Sequence, residues 1–245
     1  MPRFFLPRAR CEEGFPVLTV TGDDAHHIGY SLRMAVGDAL TVSDGEGTDY
    51  FCKIESISQT EVRARCESTA PGASEPPYVC TLYQAMPKGD KADEIVQKAV
   101  ELGCTHIVFF LSDFCVSRPE SHKWAHKQAR LQRIALEAAK QCGRSRLPTV
   151  GELLSFDAMC DRLADYPFAL FCSEHEKSNT LSASLPEVAP DTLAVIVGSE
   201  GGFSVKEAET IKMKGATSVS LGARILRCET APLYTLSALS ARYEL

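Results

Sequence analysis

The sequence predicts an α/β domain built on a mostly parallel sheet, preceded by a smaller all-β domain that reads as a β barrel. Three observations carry this. Residues 1–72 alternate short apolar runs with turn signals. A Pro/Gly/Ser-rich segment follows at 71–77. Beyond it, short apolar strands alternate with stretches of helical periodicity.

In the first domain, 18–20, 39–42, 50–54 and 61–66 read as strands. Asp44-Gly45 is a hairpin-type turn signal between the second and third, and 24–34 reads as one short helix. Pro71-Gly72-Ala73-Ser74-Glu75-Pro76-Pro77 stops regular structure, so the boundary is expected there, dividing the chain into 1–72 and 73–245.

In the second domain, 78–84 reads as a strand. A helix is predicted over 91–102, with Ile95, Val96, Ala99 and Val100 on one face, Asp90 as N-cap and Gly103 as stop. A buried strand at 106–111 and a helix at 121–141 follow. Short apolar strands at 168–171 and 192–197, a helix at 204–214, a strand at 218–221 and a closing helix at 231–243 complete the pattern.

Composition excludes several classes. No apolar run approaches the ~20 residues of a membrane span, and Arg3, Pro7, Arg8 and Arg10 break up any signal-peptide core. A soluble, cytoplasmic protein is the expectation. The 10 cysteines are scattered without a C-x-x-C pair, which argues against a zinc site and for free thiols. His122 and His126 stand four apart without a third ligand in sight, so no metal is expected. The net charge is −6, yet 118–146 holds eight Lys or Arg (Arg118, Lys123, Lys127, Arg130, Arg133, Lys140, Arg144, Arg146) against Glu120 and Glu137. Such a local excess suits a polyanion or a solvated helix face equally well.

Two segments can carry chemistry. In the first, the strand Ala194-Val195-Ile196-Val197 runs into Gly198-Ser199-Glu200-Gly201-Gly202-Phe203, and Ser204 and Glu207 form an S-x-x-E capping box for the next helix. This is neither a G-x-G-x-x-G fingerprint nor a P-loop. Glu200 disfavours a phosphate ligand and suits a cationic or hydroxyl-bearing one, two properties S-adenosylmethionine combines. The second segment is Gly222-Ala223-Arg224-Ile225-Leu226-Arg227-Cys228-Glu229-Thr230-Ala231-Pro232, between a strand end and a helix start. Thr230 is a candidate cap, and Pro232 suits a first helical turn. Three charged groups in one connection mark either a site or plain surface charge.

Together these two segments resemble the signature of the SPOUT methyltransferases, and within them the bacterial RsmE-type family that methylates N3 of a uridine in 16S ribosomal RNA. Further matching segments are Gln84-Ala85-Met86-Pro87-Lys88-Gly89-Asp90-Lys91 continuing to 97–103, residues 137–146, and Met1-Pro2-Arg3-Phe4-Phe5 with His26-His27 and 33–38. The resemblance implies a PUA-like β barrel for RNA, then a SPOUT domain with a C-terminal trefoil knot. It also implies a homodimer and S-adenosyl-L-methionine as cofactor. The family usually carries Pro where Ser199 and Ala223 stand, and commonly an acid where Lys140 stands.

On this basis cofactor binding is expected at Phe171, Cys172, Ser173, Val197, Gly198, Ser199, Glu200, Gly201, Gly202, Leu221, Gly222, Ile225, Leu226, Thr230 and Ala231. Arg224, Arg227 and Glu229 are the catalytic candidates. Either arginine can stabilise charge on the uracil oxygens, while Glu229 orients a group or acts as the base. Arg3, His27, Arg33, Lys88, Lys91, Arg118, Arg144 and Arg146 are expected to hold RNA, the partner being ribosomal RNA in the 30S particle. Arg3, His27 and Arg33 lie in a domain with 7 basic and 11 acidic residues over 1–72. The rivals are a non-catalytic RNA-binding assembly factor with a degenerate knot, and a nucleotide-binding α/β enzyme.

Overall fold

The computed structural model describes residues 1–7 and 17–245. The chain divides into two compact units. The first comprises Met1–Glu75 and Ala139–Leu147, and the second Pro76–Ala138 and Pro148–Leu245.

The first unit is a five-stranded sheet. Its elements are β1 (Arg3–Phe5), β2 (Val17–Thr21), α1 (Asp23–His26) leading into a π-helical turn at His27–Ser31, β3 (Ala39–Ser43), β4 (Thr48–Ile57) and β5 (Glu61–Pro71). The spatial order is β1-β3-β4-β5-β2, antiparallel except where β1 runs parallel to β3. Alternation sets the faces. In β5, Val62, Ala64 and Cys66 point into the core while Glu61, Arg63 and Arg65 point out. Two register shifts between β4 and β5 bend the sheet around Phe4, Leu18, Val20, Leu40, Val42 and Ile54. The Asp44 carboxylate accepts from the amides of Glu46, Gly47 and Thr48 at 2.8–3.0 Å, which builds the hairpin turn its sequence signals. The helix expected over 24–34 is only four residues long before widening into the π turn. Arg33 follows in the left-handed region at φ 52°.

The second unit is a parallel sheet flanked by helices. In chain order its elements are β6 (Val79–Ala85), α2 (Lys91–Glu101), β7 (His106–Leu111), α3 (Ser121–Cys142), β8 (Thr149–Val150), β9 (Leu154–Ser155) and α4 (Phe156–Arg162) with a 3₁₀ turn at Leu163–Asp165. Then come β10 (Ala169–Cys172), α5 (Leu181–Ser184), β11 (Thr192–Val197), α6 (Val205–Met213), β12 (Thr217–Val219) and α7 (Thr230–Tyr243). The order is β12-β10-β11-β6-β7-β8, with β9 also pairing β7, and every pairing is parallel. From Leu193 to Val197, β11 is buried on both faces, as a strand covered on both sides must be. α2 buries Ala92, Ile95, Val96, Ala99 and Val100, the predicted stripe, and stops at Gly103, φ 85°.

The boundary differs from the one the prolines suggest. β5 continues to Pro71, and the Glu75 carboxylate accepts from the amides of Ser145 and Arg146 at 2.8 and 2.9 Å. Residues 73–75 therefore stay with the first unit, and 139–147 join it. The nine described cysteines are all free thiols, and Cys11 lies outside the described residues. No helix among the described residues is long and apolar enough to cross a membrane.

Candidate functional site

Strands of a parallel sheet end at a common edge, and loops leaving that edge are where such sheets bind ligands. Here β12, β10, β11 and β6 are consecutive neighbours, so the loops after Val219, Cys172, Val197 and Ala85 lie side by side.

The glycine-bearing loop after β11 is held at several points. Gln84 Nε2 donates to the Gly198 carbonyl at 3.0 Å. The Gly202 amide donates to the Ser199 carbonyl at 3.0 Å, closing a tight turn with Gly202 at φ 67°. A Cβ on Gly201 would lie 2.8 Å from Phe114 Cβ, so only glycine fits. The predicted capping box is present. Ser204 Oγ accepts from the Glu207 amide, and Glu207 Oε2 accepts from the Ser204 amide at 3.0 Å. Glu207 Oε1 also accepts from the Asp113 amide at 2.8 Å, and Ser204 Oγ donates to Asp113 Oδ2 at 2.7 Å. The loop after β7 is thereby tied to the same turn. Sequence reading did not single out Asp113 or Phe114, because both sit more than 80 residues from the turn they hold. Gln84 lies in the matching segment 84–91, where its sequence context carries no signal of this contact.

Two buried polar atoms here have no hydrogen-bond partner among the described residues, Ser199 Oγ and Gln84 Oε1. Such atoms are costly to leave unpaired.

The arginine-bearing loop after β12 is different. Ser220 Oγ accepts from the Gly222 amide at 3.3 Å, and Gly222 adopts φ 107°. From there to Arg227 most side chains face solvent. Arg224 is exposed, and Ile225 and the Arg227 side chain are each 81% exposed. The Arg227 carbonyl accepts from the amides of Thr230 and Ala231 at 2.9 Å, which starts α7. Thr230 is the helix's first residue rather than its cap. Glu229 holds the cap position, without a side-chain cap bond, because its carboxylate is engaged elsewhere. Asp90 likewise stands at the N-cap of α2 with no cap bond.

Lys91 joins the two loops. Its Nζ lies 2.9 Å from Glu200 Oε1 and 3.0 Å from Glu229 Oε2. Its third contact is Cys228 Sγ at 3.7 Å. Cys228 Sγ in turn lies 3.2 Å from Glu229 Oε2, and the Lys88 amide donates to Glu200 Oε1 at 3.1 Å. The hydrogen bonds to Glu200 and then Glu229 push the Lys91 ammonium well above its ordinary range. Burial pulls both carboxyls up. For Glu200 this is outweighed by Lys91 and by backbone amides including that of Lys88. For Glu229 its own amide and Lys91 outweigh it. Both carboxyls end below the ordinary glutamate value. The three groups are thus charged together.

On the loop after β10, Phe171 is buried, and Cys172 and Ser173 are half-buried. Burial lifts the Cys172 thiol to about 11, and its Sγ lies 3.4 Å from Thr235 Oγ1, so it is a packing group rather than a nucleophile.

The candidates for RNA divide sharply. In the first unit Arg3 and Arg144 turn inward, contrary to expectation. Arg3 pairs with Asp49 and donates to Ser145 Oγ at 3.0 Å. Burial raises the Asp49 carboxyl, and bonds from Arg3, Ser43 and Ser145 more than reverse this. Arg144 Nη2 lies 2.8 Å from Glu75 Oε2, with side-chain exposures of 3% and 12%. Guanidinium groups already desolvated and paired are not available to phosphate. His27, Arg33 and Arg146 remain exposed. In the second unit Lys88 and Arg118 are exposed, although Arg118 also donates to the Ser112 carbonyl at 2.6 Å. The charge excess over 118–146 is partly neutralised in the fold. Arg130 pairs with Asp93 and Lys140 with Asp24, each at 2.7 Å.

A parallel α/β sheet whose carboxyl edge carries a glycine turn and a charged turn, joined by one lysine, defines a small-ligand-binding α/β domain. Residues 74–240 match the RNA methyltransferase domain, and 20–65 match the RNA methyltransferase PUA domain. The ribosomal RNA small subunit methyltransferase E of Bacillus subtilis is 33% identical, covering 100% of this chain and 98% of its own. That of Synechocystis is 32% identical over 93% of this chain and 74% of its own. Among solved structures, ribosomal RNA small subunit methyltransferase E from Neisseria gonorrhoeae, bound to S-adenosyl methionine, superposes with a TM-score of 0.85 at 28% identity. It covers 99% of this chain and 98% of the other. A Legionella pneumophila methyltransferase with bound S-adenosylmethionine gives 0.84 at 29%, covering 98% and 96%. The chain belongs to the RNA methyltransferase family of the ribosomal RNA small subunit methyltransferase E type.

Proposed function

We propose that this protein transfers a methyl group from S-adenosyl-L-methionine to N3 of a uridine in 16S ribosomal RNA, acting in the cytoplasm on the small-subunit particle. The observation that carries this reading is the convergence, through Lys91, of the glycine-bearing and arginine-bearing loops on one strand edge.

The residues present fit the cofactor. Ser199 Oγ and Gln84 Oε1 are buried polar atoms awaiting a partner. The Gly201-Gly202 turn exposes backbone where no side chain fits. Glu200 places a carboxylate in the glycine-bearing loop, which suits a cationic or hydroxyl-bearing ligand. The backbone of 198–202 and 221–226 would hold the donor, with 171–173 and 230–231 beside it. When bound, the sulfonium supplies an activated methyl group.

The chain's own part is orientation and charge. Methylation forms a carbon–N3 bond, and the imide proton must leave N3. Arg227 and Arg224, solvent-facing and at the mouth of the loop, are suited to stabilise the uracil oxygens as negative charge grows there. Glu229 is held ionised below its ordinary range, which makes it a weak proton acceptor. It serves as an orienting group, and the N3 proton passes to solvent. The target uridine must be unpaired or splayed out, since pairing hides N3.

The first unit is proposed as a PUA-like barrel that grips RNA through His27 and Arg33. There His26 stacks on the 75% exposed Tyr30 at 5.1 Å. Lys88, Arg118 and Arg146 add phosphate contacts. The C-terminal trefoil knot and the homodimer are proposed with it. Exposed apolar side chains at Phe114, Val116, Val205, Ile225 and Tyr234 in the second unit support a second copy as partner.

The test has two arms. Calorimetry with S-adenosylmethionine should show saturable heat, whereas a non-catalytic assembly factor would show none. Mass-spectrometric mapping of ribosomal RNA should find one N3-methyluridine lost when the gene is deleted. An unchanged methylation map would end this reading.

A further inference from the structure

We propose that Lys91 is a positioning residue that holds the glycine-bearing and arginine-bearing loops in register for the methyl donor, and is not a contact for RNA phosphate. The proposal rests on the methyltransferase reading above.

The first argument is donor arithmetic. An ammonium has three N–H bonds. Lys91 Nζ has three acceptors within reach: Glu200 Oε1 at 2.9 Å, Glu229 Oε2 at 3.0 Å and Cys228 Sγ at 3.7 Å. A phosphate could bind only by displacing one of them. The second argument is origin. Lys91 opens α2, whose five buried residues seat it against the core of the unit, so the ammonium is delivered from a rigid element to two loops. Third, a cation at a helix N-terminus is disfavoured by the helix dipole. Asp93 and Glu94 occupy the same first turn as the dipole prefers. A lysine there calls for partners of its own, and Glu200 and Glu229 are those partners. Finally, Glu200 and Glu229 both approach one nitrogen, so without it two carboxylates would repel at close range and drive the loops apart. The raised basicity of Lys91 agrees with this constant double engagement.

The positions of the groups predict a cross-loop effect. Glu200 belongs to the glycine loop, yet removing its charge should loosen the arginine loop too, because the lysine is shared. A side chain that merely packed locally would not transmit this.

The experiment uses the full chain with Lys91→Met, Lys91→Arg and Glu200→Gln. Hydrogen–deuterium exchange on the ligand-free protein reads residues 198–203 and 222–229 separately. Calorimetry reads S-adenosylmethionine affinity, and filter binding reads affinity for a 16S ribosomal RNA fragment across salt. For Lys91→Met, exchange in both loops should rise about tenfold together, and donor affinity should fall about tenfold or more, the size expected of coupled charged neighbours. RNA affinity and its salt slope should stay within about twofold. Lys91→Arg should recover part of the donor affinity. Glu200→Gln should raise exchange in 222–229 as well as in its own loop, and it decides the matter if Lys91→Met does not fold. Unchanged exchange, or a change confined to one loop, overturns the proposal. So does a drop in RNA affinity with a shallower salt slope and intact donor binding. If the wild-type chain gives no heat with S-adenosylmethionine, the methyltransferase reading fails, while the exchange data still decide whether Lys91 ties the loops.

Discussion

Two arginine-bearing segments look alike in sequence and end in opposite states. Gly143-Arg144-Ser145-Arg146 in the first unit and Gly222-Ala223-Arg224-Ile225-Leu226-Arg227 in the second both follow a glycine and both carry two arginines. In the first, Arg144 is locked against Glu75, whose other oxygen accepts the amides of Ser145 and Arg146. In the second, Arg227 is 81% exposed, and its nearest acid, Glu229, lies 3.9 Å away while already engaged by Lys91. The first segment commits Arg144 to an ion pair within the fold, and the second leaves Arg227 open to solvent. An arginine's role is decided by whether a distant acid reaches it, not by its local sequence.

The sharpest way to break this contrast is Arg144→Ala. It strands the Glu75 carboxylate, so urea denaturation should show a loss of about 3–5 kcal/mol, the usual result of removing one partner of a buried pair. The exposed Arg146→Ala should change stability by less than about 0.5 kcal/mol. Equal, small losses at both positions would erase the distinction.

Arg227→Ala should do the reverse. Its melting temperature should match the wild type, while kcat/KM on a ribosomal RNA fragment falls about 10²–10³-fold, the scale of a lost charge-stabilising donor. A matching fall in thermal stability would make Arg227 structural instead. Gly201→Val comes next. Overpacking against Phe114 should cost about 1–3 kcal/mol of stability, read by urea denaturation, and calorimetry should show a weaker donor affinity.

A smaller effect is expected at Lys140. Here Lys140 pairs with Asp24 and sits 6.0 Å from the Phe4 ring centroid. Lys140→Glu should destabilise by about 1 kcal/mol and place like charges together, measured by the same denaturation.

The smallest effect is a pH dependence. Glu200 and Glu229 are lowered from 4.5, so their contribution is present above that value and fades as pH falls through the folded values. Lys91 is raised from 10.5, so its contribution is complete below that value and is lost only as pH climbs through the folded one. The groups facing this cluster are the Lys88 amide, Cys228 and Arg227. The melting difference between wild type and Lys91→Met should therefore be flat from about pH 5 to 10 and shrink below pH 4.5. A difference that stays unchanged as pH falls below 4.5 would mean the lysine acts through packing alone.

Much of this was legible beforehand, and for identifiable reasons. The Ser204/Glu207 capping box, the Asp44-Gly45 turn, the α2 stripe and the Gly103 stop depend on residues within a few positions of one another. Local spacing specifies them. The short β8 and β9, two residues each, and β1 carry too little pattern to be seen. The helix expected over 24–34 turns π-helical at His27 and ends at Ser31, two residues before Arg33 at φ 52°. The position after Pro71 read as a linker because proline stops a strand, yet Glu75 beyond it is claimed by Arg144, 69 residues on.

By itself, then, the sequence determined the order of elements, the parallel α/β character of the larger unit and the glycine-bearing and arginine-bearing turns, because periodicity, caps and glycines act over short range. The tertiary structure alone decided which charges are available. It buried Arg3 against Asp49 and Arg144 against Glu75, and it gave Lys91 to Glu200 and Glu229. Each of these pairs joins residues more than 40 positions apart. An ion pair forms only where the fold brings two such groups within a few ångströms and removes the water between them.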